Sequence, residues 1–552
     1  MAITCSVALV SQSQHRPQSF TPSVWGDYFL DHRPCNTSQL VTMKERAHAM
    51  EEDVRQTILD AAASYDLIQK LELVDTLQRI GVDYHYQEEV HELLRHVYDD
   101  SDGGSDDLYV TSLRFYLLRK HGYTVSSDVF LKFRDEKGNV SSDDVNSLMT
   151  LYDAAHLRTH GEQILDNIIT FNKSRLQYFM ETNLEPDLAD EVRLTLETPR
   201  FRRVERLEAR RYISVYEKKE TRDKNILELA KLDYNILQAL YCDELKELTI
   251  WWKDFQSRTY LGFARDRLVE LHFWMLGVLY EPYYSYSRIM MTKLIVFASL
   301  FDDFYDSNST AEDSSKFTRA IERWDEQAAE QLPVYLKSIF INVLNTTNKI
   351  VEDLKLQENK HAEMVKKMVI DTARFYHDEV KWRDEHYVPA TIEEHLQISL
   401  RSSVCMQITT MAFISLGDVT RREAVEWAIT FPKIIRGVSI VGRIGNDIVS
   451  HEREQVSEHA VSTVQTCMKQ YGVTVEQAND KLRVIIEESW MDIFEEYLDQ
   501  KHPMALLEKA VNVARTMDFM YKREDAYTMS HCLKDVITSM YVNSVYDPSS
   551  SI

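Results

Sequence analysis

From about Val41 onward, apolar residues recur every three to four positions among charged ones, as in MKERAHAMEEDVRQTILDAA. That spacing lays one apolar stripe along an α-helix. The same period predicts helices over 64–80, 86–97, 109–120, 146–155, 161–182 and 187–196. The stretches 99–107 and 125–144 read as loops, the second with a turn at 134–139. Residues 15–27, HRPQSFTPSVWGD, are punctuated by proline. They read as an extended arm carrying Arg16, with Trp25 as its hydrophobic pin. After the densely charged 202–224, helices are predicted over 226–240, near 251–255, over 271–280, and over 315–330, 333–356 and 359–383. A polar loop is expected over 307–313, and 395–416 reads as one long apolar stretch broken by small polar residues. No repeat of 20–50 residues interrupts this pattern.

The pattern predicts an all-α chain of two helical domains. Residues 1–14 form a disordered leader, 15–222 an N-terminal helical domain and 223–552 a C-terminal one. The boundary holds no Pro or Gly-Ser linker, so the two domains should pack directly. Composition agrees. Only 14 Gly and 11 Pro occur in 552 residues, so turns are few and elements long.

A formal net charge of −24 argues against nucleic acid and anionic membrane surfaces as partners. Six scattered cysteines without CxxC spacing fit a reducing compartment. No apolar run approaches the 18 residues of a membrane-spanning helix. The first residues lack a basic n-region and an Arg-rich amphipathic pattern, so a cytoplasmic location is expected.

Candidate chemistry is concentrated in two stretches. In KLIVFASLFDDFYD (293–306) an apolar run ends in Asp302, Asp303 and Asp306. Helical geometry puts Asp302 and Asp306 one turn apart on one face, with Asp303 about a quarter-turn away. Such carboxylates are costly together unless a cation neutralises them, and hard cations take oxygen ligands. A solvated helix end would carry the same residues. In GVSIVGRIGNDIVSHERE (437–454), Asn446, Ser450 and Glu454 share one face, and Arg443 points near the same opening. Gly437, Gly442 and Gly445 crowd this helix, suggesting a kink or close approach. Arg265 and Arg267 form an Arg-x-Arg pair that could close on a diphosphate or serve as surface ion pairs. The first domain has no DxDD motif and no phosphate loop.

Together these motifs resemble the plant class I terpene synthase family, of the cytosolic sesquiterpene synthase type. DDFYD (302–306) matches its DDxxD, NDIVSHERE (446–454) its (N/D)Dxx(S/T)xxxE, and FARDR its RxR. HRP…W resembles its RRx8W arm, with Pro17 in place of the second Arg. The resemblance covers nearly the whole chain from about residue 15. It implies a silent N-terminal α-barrel and a C-terminal catalytic α-helical domain. It also implies a metal set of Asp302, Asp303, Asp306, Asn446, Ser450 and Glu454, with three Mg2+ expected and Mn2+ as a substitute. Arg265, Arg267 and Arg443 would receive the diphosphate, and Trp274 would wall the cavity. Tyr521, Asp525 and Tyr527 would belong to a lid which, with the 15–27 arm, closes on the substrate. The implied reaction is ionisation of farnesyl diphosphate and cyclisation to a C15 product by a monomeric enzyme. A monoterpene synthase using geranyl diphosphate, a chain-elongating prenyl transferase and a non-catalytic helical scaffold stay open. The prenyl transferase would carry a second DDxxD, which 446–454 is not.

Overall fold

Side-chain caps set where many of the helices begin. Asn36, Asp66, Asp107, Asp144 and Asp223 each accept a backbone N–H from the first turn of the helix that follows, satisfying donors that have no partner inside the helix. The computed structural model describes residues 20–100, 105–182, 184–417, 420, 422–455 and 461–545. Among these every regular element is a helix. The leader 1–14 and Arg16 lie outside the described residues.

A first series of helices runs from Thr37–Ser64 to Glu205–Glu217. Lys224–Arg258 then runs as one helix, where the sequence suggested two. It packs along Thr37–Ser64, and one continuous apolar core joins elements from both ends of the chain. Polar bonds add to the seam: Arg202 is paired with Glu487, and Tyr497 Oη donates to Lys120 O at 2.6 Å. These contacts join helices from the first half of the chain to helices from the second.

Two other readings need correction. The expected helix over 315–330 ends at Arg323, where Trp324 adopts φ 54°, and a short 3-10 turn follows over Glu326–Gln331. The apolar stretch 395–416 is two helices, Ile392–Ser402 and Cys405–Ser415. Val404 lies between them with φ 63°. A β-branched residue there costs of order 1–2 kcal/mol. The break turns Ser402, Ser403 and Val404 towards the central cavity.

The helix bearing the first acidic motif, Ser285–Asp303, is fixed at its start by Arg288, which is fully buried. Its guanidinium meets Glu244 through Nε at 2.9 Å and Nη2 at 2.6 Å, and donates to the carbonyls of Leu279 and Glu281. His272 Nε2 lies 2.8 Å from the same carboxylate, and its Nδ1 lies 2.8 Å from Tyr541 Oη. Three helices, Lys224–Arg258, Leu268–Val278 and Lys534–Tyr541, are thereby tied to the acidic one.

Burial alone would raise the Glu244 pKa, but His272 and Arg288 bring it down to about 2 from an ordinary 4.5. Its stabilising contribution is therefore complete above about pH 4.5 and fades as the pH falls towards 2. Glu244→Gln, which leaves Arg288 buried without its counter-charge, should cost about 3–5 kcal/mol. The check is the thermal midpoint at pH 7, and the gap to wild type should narrow as the pH approaches 3.

Candidate active site

The cavity opens between Ser285–Asp303, Ala362–Glu385, Lys433–Glu454, Met504–Met520 and the 521–530 segment. It encloses about 1100 Å³ of atom-free space, its mouth included. Its deep wall is apolar, with Leu271, Trp274, Ile295, Val404, Ile408 and Met517. Trp274 meets Tyr527 at 5.8 Å between centroids and 63°, and Tyr521 at 6.0 Å and 75°. These are edge-on contacts, and all three rings line the cavity. Tyr527 is held by a hydroxyl contact with Ser299.

The mouth is acidic. Asp302 and Asp306 both line it, but the segment between them is not plain α-helix. The chain widens into a π-turn over Phe304–Asn308, a form that is rare and concentrated at functional sites. Arg383 holds this turn. Its Nη1 donates to the Tyr305 and Asp306 carbonyls and its Nη2 to Ser309 O at 3.1 Å. The expected polar loop over 307–313 thus shrinks, since the next helix starts at Ala311.

Asp303 stands apart from its two neighbours. It is buried and faces Arg265, whose Nε lies 2.8 Å from Oδ1 while the Arg265 backbone N–H donates to Oδ2 at 2.7 Å. Burial lifts its pKa to about 6, and Arg265 opposes the rise. Arg265 also pairs with Asp302 and lies 4.7 Å over the Tyr527 ring. Arg267, expected beside it at the diphosphate, does not border the cavity. It is 1% exposed and spent on backbone carbonyls. The two residues lie on non-helical chain before Leu268–Val278, so their side chains are free to diverge.

The second motif lies on Lys433–Glu454. Asn446 and Glu454 line the cavity, and Ser450 is fully buried between them. The Ser450 hydroxyl makes no well-formed hydrogen bond among the described residues, though it favours the charged form of Glu454. The glycines permit close approach. A Cβ on Gly437 would meet Ile493 at 2.8 Å and Ser489 O at 3.0 Å, and one on Gly442 would meet Cys405 Sγ at 2.8 Å. Arg443 reaches the cavity and donates to Ser399 O at 3.2 Å and Ser402 Oγ at 3.3 Å. Asp447 borders the cavity but accepts from Thr463 N and Oγ1, both at 2.7 Å, and so ties down the next helix. Asp525 receives Arg453 Nη2 at 2.6 Å and lines the mouth with Tyr521.

Sequence reasoning missed Glu379, Tyr376 and Arg453, all of which border the cavity. Glu379 is buried and accepts from Ser402 Oγ at 2.6 Å. Nothing in its helix pattern separates it from a solvated carboxylate. The cluster it joins is short of positive charge. Burial first, then Asp302 and Glu379, push Asp306 well above the usual carboxylate range. Burial and Asp447 push Glu454 up to about 7. An oxygen-rich, proton-hungry pocket with an unpartnered buried hydroxyl is what a hard divalent cation fits. A second acidic group, His160 with Asp492 and Glu495, lies elsewhere and is already met by Lys433.

Sequence profiles place this geometry in a family. The profile of the terpene synthase N-terminal domain matches residues 24–196, and that of the terpene synthase family metal-binding domain matches 253–492. The chain belongs to the terpene synthase family. This terpene synthase is 53% identical to an (E)-beta-caryophyllene synthase of Zea mays, over 95% of both chains. It is 43% identical to a beta-sesquiphellandrene synthase of Sorghum bicolor, over 98% and 99%. Among solved structures it resembles isoprene synthase from grey poplar in complex with three Mg2+ ions and dimethylallyl-S-thiolodiphosphate. That match has TM-score 0.85 and 31% identity, covering 95% of this chain and 99% of the other. A limonene synthase with 2-fluorolinalyl diphosphate aligns with TM-score 0.89 and 29% identity, over 97% and 100%. Among the described residues no helix is long and apolar enough to cross a membrane.

Replacing Arg383 by Met should loosen the π-turn without unfolding the protein. Losing charge-assisted bonds of this kind should speed amide exchange over 304–309 by roughly tenfold or more. Hydrogen-exchange mass spectrometry reads this, and unchanged circular dichroism excludes global unfolding.

Proposed function

We propose that this terpene synthase is a sesquiterpene synthase that ionises farnesyl diphosphate and cyclises the resulting cation to a C15 product. The observation that carries the reading is the polarity of one cavity, acid- and arginine-rich at its mouth and apolar and aromatic at its base. The 53% identity to a caryophyllene synthase supports the C15 class. Asp302, Asp306, Asn446, Ser450 and Glu454 would hold divalent ions, Mg2+ with Mn2+ as a substitute, and three ions by analogy with the poplar relative. Bound there, the ions would supply positive charge against the departing diphosphate. Asp303, turned to Arg265, serves the site as a counter-ion rather than a ligand.

The chain's own residues then act as follows. Arg265 and Arg443 receive the diphosphate as its bond to C1 breaks and the electron pair leaves with oxygen, which stabilises charge where it develops. The allylic cation stays in the apolar base, where the faces of Trp274, Tyr521 and Tyr527 offer cation–π attraction of about 0.5–2 kcal/mol each. Closure of the 521–530 segment, tied to Lys433–Glu454 through Arg453 and Asp525, keeps water out. Proton loss or water capture ends the reaction. Residues 15–222 are the catalytically silent domain in this reading, the enzyme is a monomer, and its place is the cytoplasm.

Purified protein incubated with farnesyl diphosphate and magnesium should yield a C15 volatile by gas chromatography, and none without the metal. Product from geranyl diphosphate alone would make it a monoterpene synthase, and no product from either would overturn the reading. Asp302→Ala and Glu454→Ala should each lower turnover roughly 100-fold or more while helical circular dichroism is retained.

A further inference from the structure

Arg267 has five N–H groups, and each meets a neutral oxygen. Nε donates to Tyr527 O at 3.1 Å and Nη2 to Thr528 O at 3.1 Å. Nη1 donates to Thr21 O at 2.9 Å and to Asp266 O at 2.8 Å, and Nη2 also reaches Thr21 Oγ1 at 3.3 Å. With 1% of the residue exposed, no donor is left for a diphosphate, and binding one would require giving up contacts already made. Apart from the neighbouring Asp266 O, these acceptors come from two stretches distant in sequence: the arm at Thr21, and the segment carrying Tyr527 and Thr528. The second lines the cavity and the first lies against a residue that does. Phe20 of the arm lies 5.4 Å from the Arg265 guanidinium, and Tyr527 lines the wall.

The arm has a separate fixing point further along. Trp25 is buried against Phe29, which meets Tyr541, and Asp27 pairs with Lys253 at 2.5 Å. The stretch before Trp25 therefore depends on contacts at the cavity end, and Arg267 supplies two of them, both to Thr21. Resting on the terpene synthase reading above, we propose that Arg267 is a positioning residue. It latches the arm and the 521–530 segment to each other over the cavity, so that they close and open as one unit. It does not receive the diphosphate, which falls to Arg265 and Arg443. A lysine would keep the charge but has three donors on one nitrogen and cannot span both stretches.

The test compares wild type with Arg267→Lys, Arg267→Gln and Arg265→Lys, each first shown by circular dichroism and thermal melting to be folded. Amide exchange of peptides covering 20–30 and 521–530 is measured with and without inorganic diphosphate and magnesium. In Arg267→Lys both peptides should exchange roughly tenfold faster together. Inhibition by inorganic diphosphate should stay within about threefold of wild type, whereas Arg265→Lys should weaken it by about tenfold or more. The fraction of water-quenched alcohol among the products should rise in Arg267→Lys as closure loosens.

The latch is refuted if only one peptide loosens, or if neither does. It is equally refuted if Arg267→Lys loses diphosphate affinity as severely as Arg265→Lys, since Arg267 is then a ligand. If Arg267→Gln fails to fold, Arg267→Lys carries the test. Should wild type make no terpene from any prenyl diphosphate, the functional reading falls while the exchange data still decide the latch.

Discussion

Two arginines, Arg288 fully buried and Arg383 partly so, hold the aspartate helix, one at each end, and the geometry of the cavity mouth depends on that clamp. Taking a guanidinium out of water costs several kcal/mol unless its charge and donors are met. Arg288 meets that demand with Glu244 and two carbonyls. Arg383 meets it with carbonyls of the π-turn and the Asp384 carboxylate. The cost of leaving either unmatched makes each position hard to shift. The planar, forked guanidinium suits the task, because one group can fix several backbone oxygens at set angles. Between the two, Asp303 clips Arg265 and its loop to the same helix.

A clamped helix can then carry charge that the protein does not neutralise by itself. Asp306, Glu379 and Glu454 are all raised in pKa, with burial the first cause in each. Arg443, held between Glu379 and Asp447, offsets only part of this. In the absence of a cation such a mouth lowers stability, and the core beneath has to make up the difference. The overall charge of −24 is therefore less at odds with an anionic substrate than it first looks. The local field at the mouth belongs to whatever cations the carboxylates gather.

Much of this was legible in the sequence, because much of it is periodic. Apolar spacing revealed the helices, the scarcity of Gly and Pro revealed the fold class, and the two acidic motifs are local patterns on single helices. What was not legible depends on contacts between elements. The π-turn after Asp303 needs Arg383 from another helix, and no local signal in DDFYD announces it. Glu379 reads as one more surface acid until Ser285–Asp303 and Lys433–Glu454 are placed beside it. The single helix over Lys224–Arg258 was hidden by the charged run in its middle, where Asp243 and Glu247 face solvent while Glu244 turns inward to Arg288. The break at Val404 was hidden for the opposite reason, since its strained residue is apolar and looks continuous with the helices on either side.

Arg265 and Arg267 show where motif reasoning must yield to geometry. On a helix, residues two apart point to different faces; on irregular chain their directions are set by neighbours alone. Arg265 finds carboxylates and an aromatic face at the cavity, and keeps part of its surface open there. Arg267 opens the next helix and finds five neutral oxygens in a dry pocket. An arginine whose partners are neutral oxygens is matched in its donors, so it suits fastening backbone to backbone. One paired with carboxylates can exchange those partners for a stronger anion when cations arrive to relieve the acids. The same residue type, two positions apart, is thus fitted for permanence at one site and for exchange at the other.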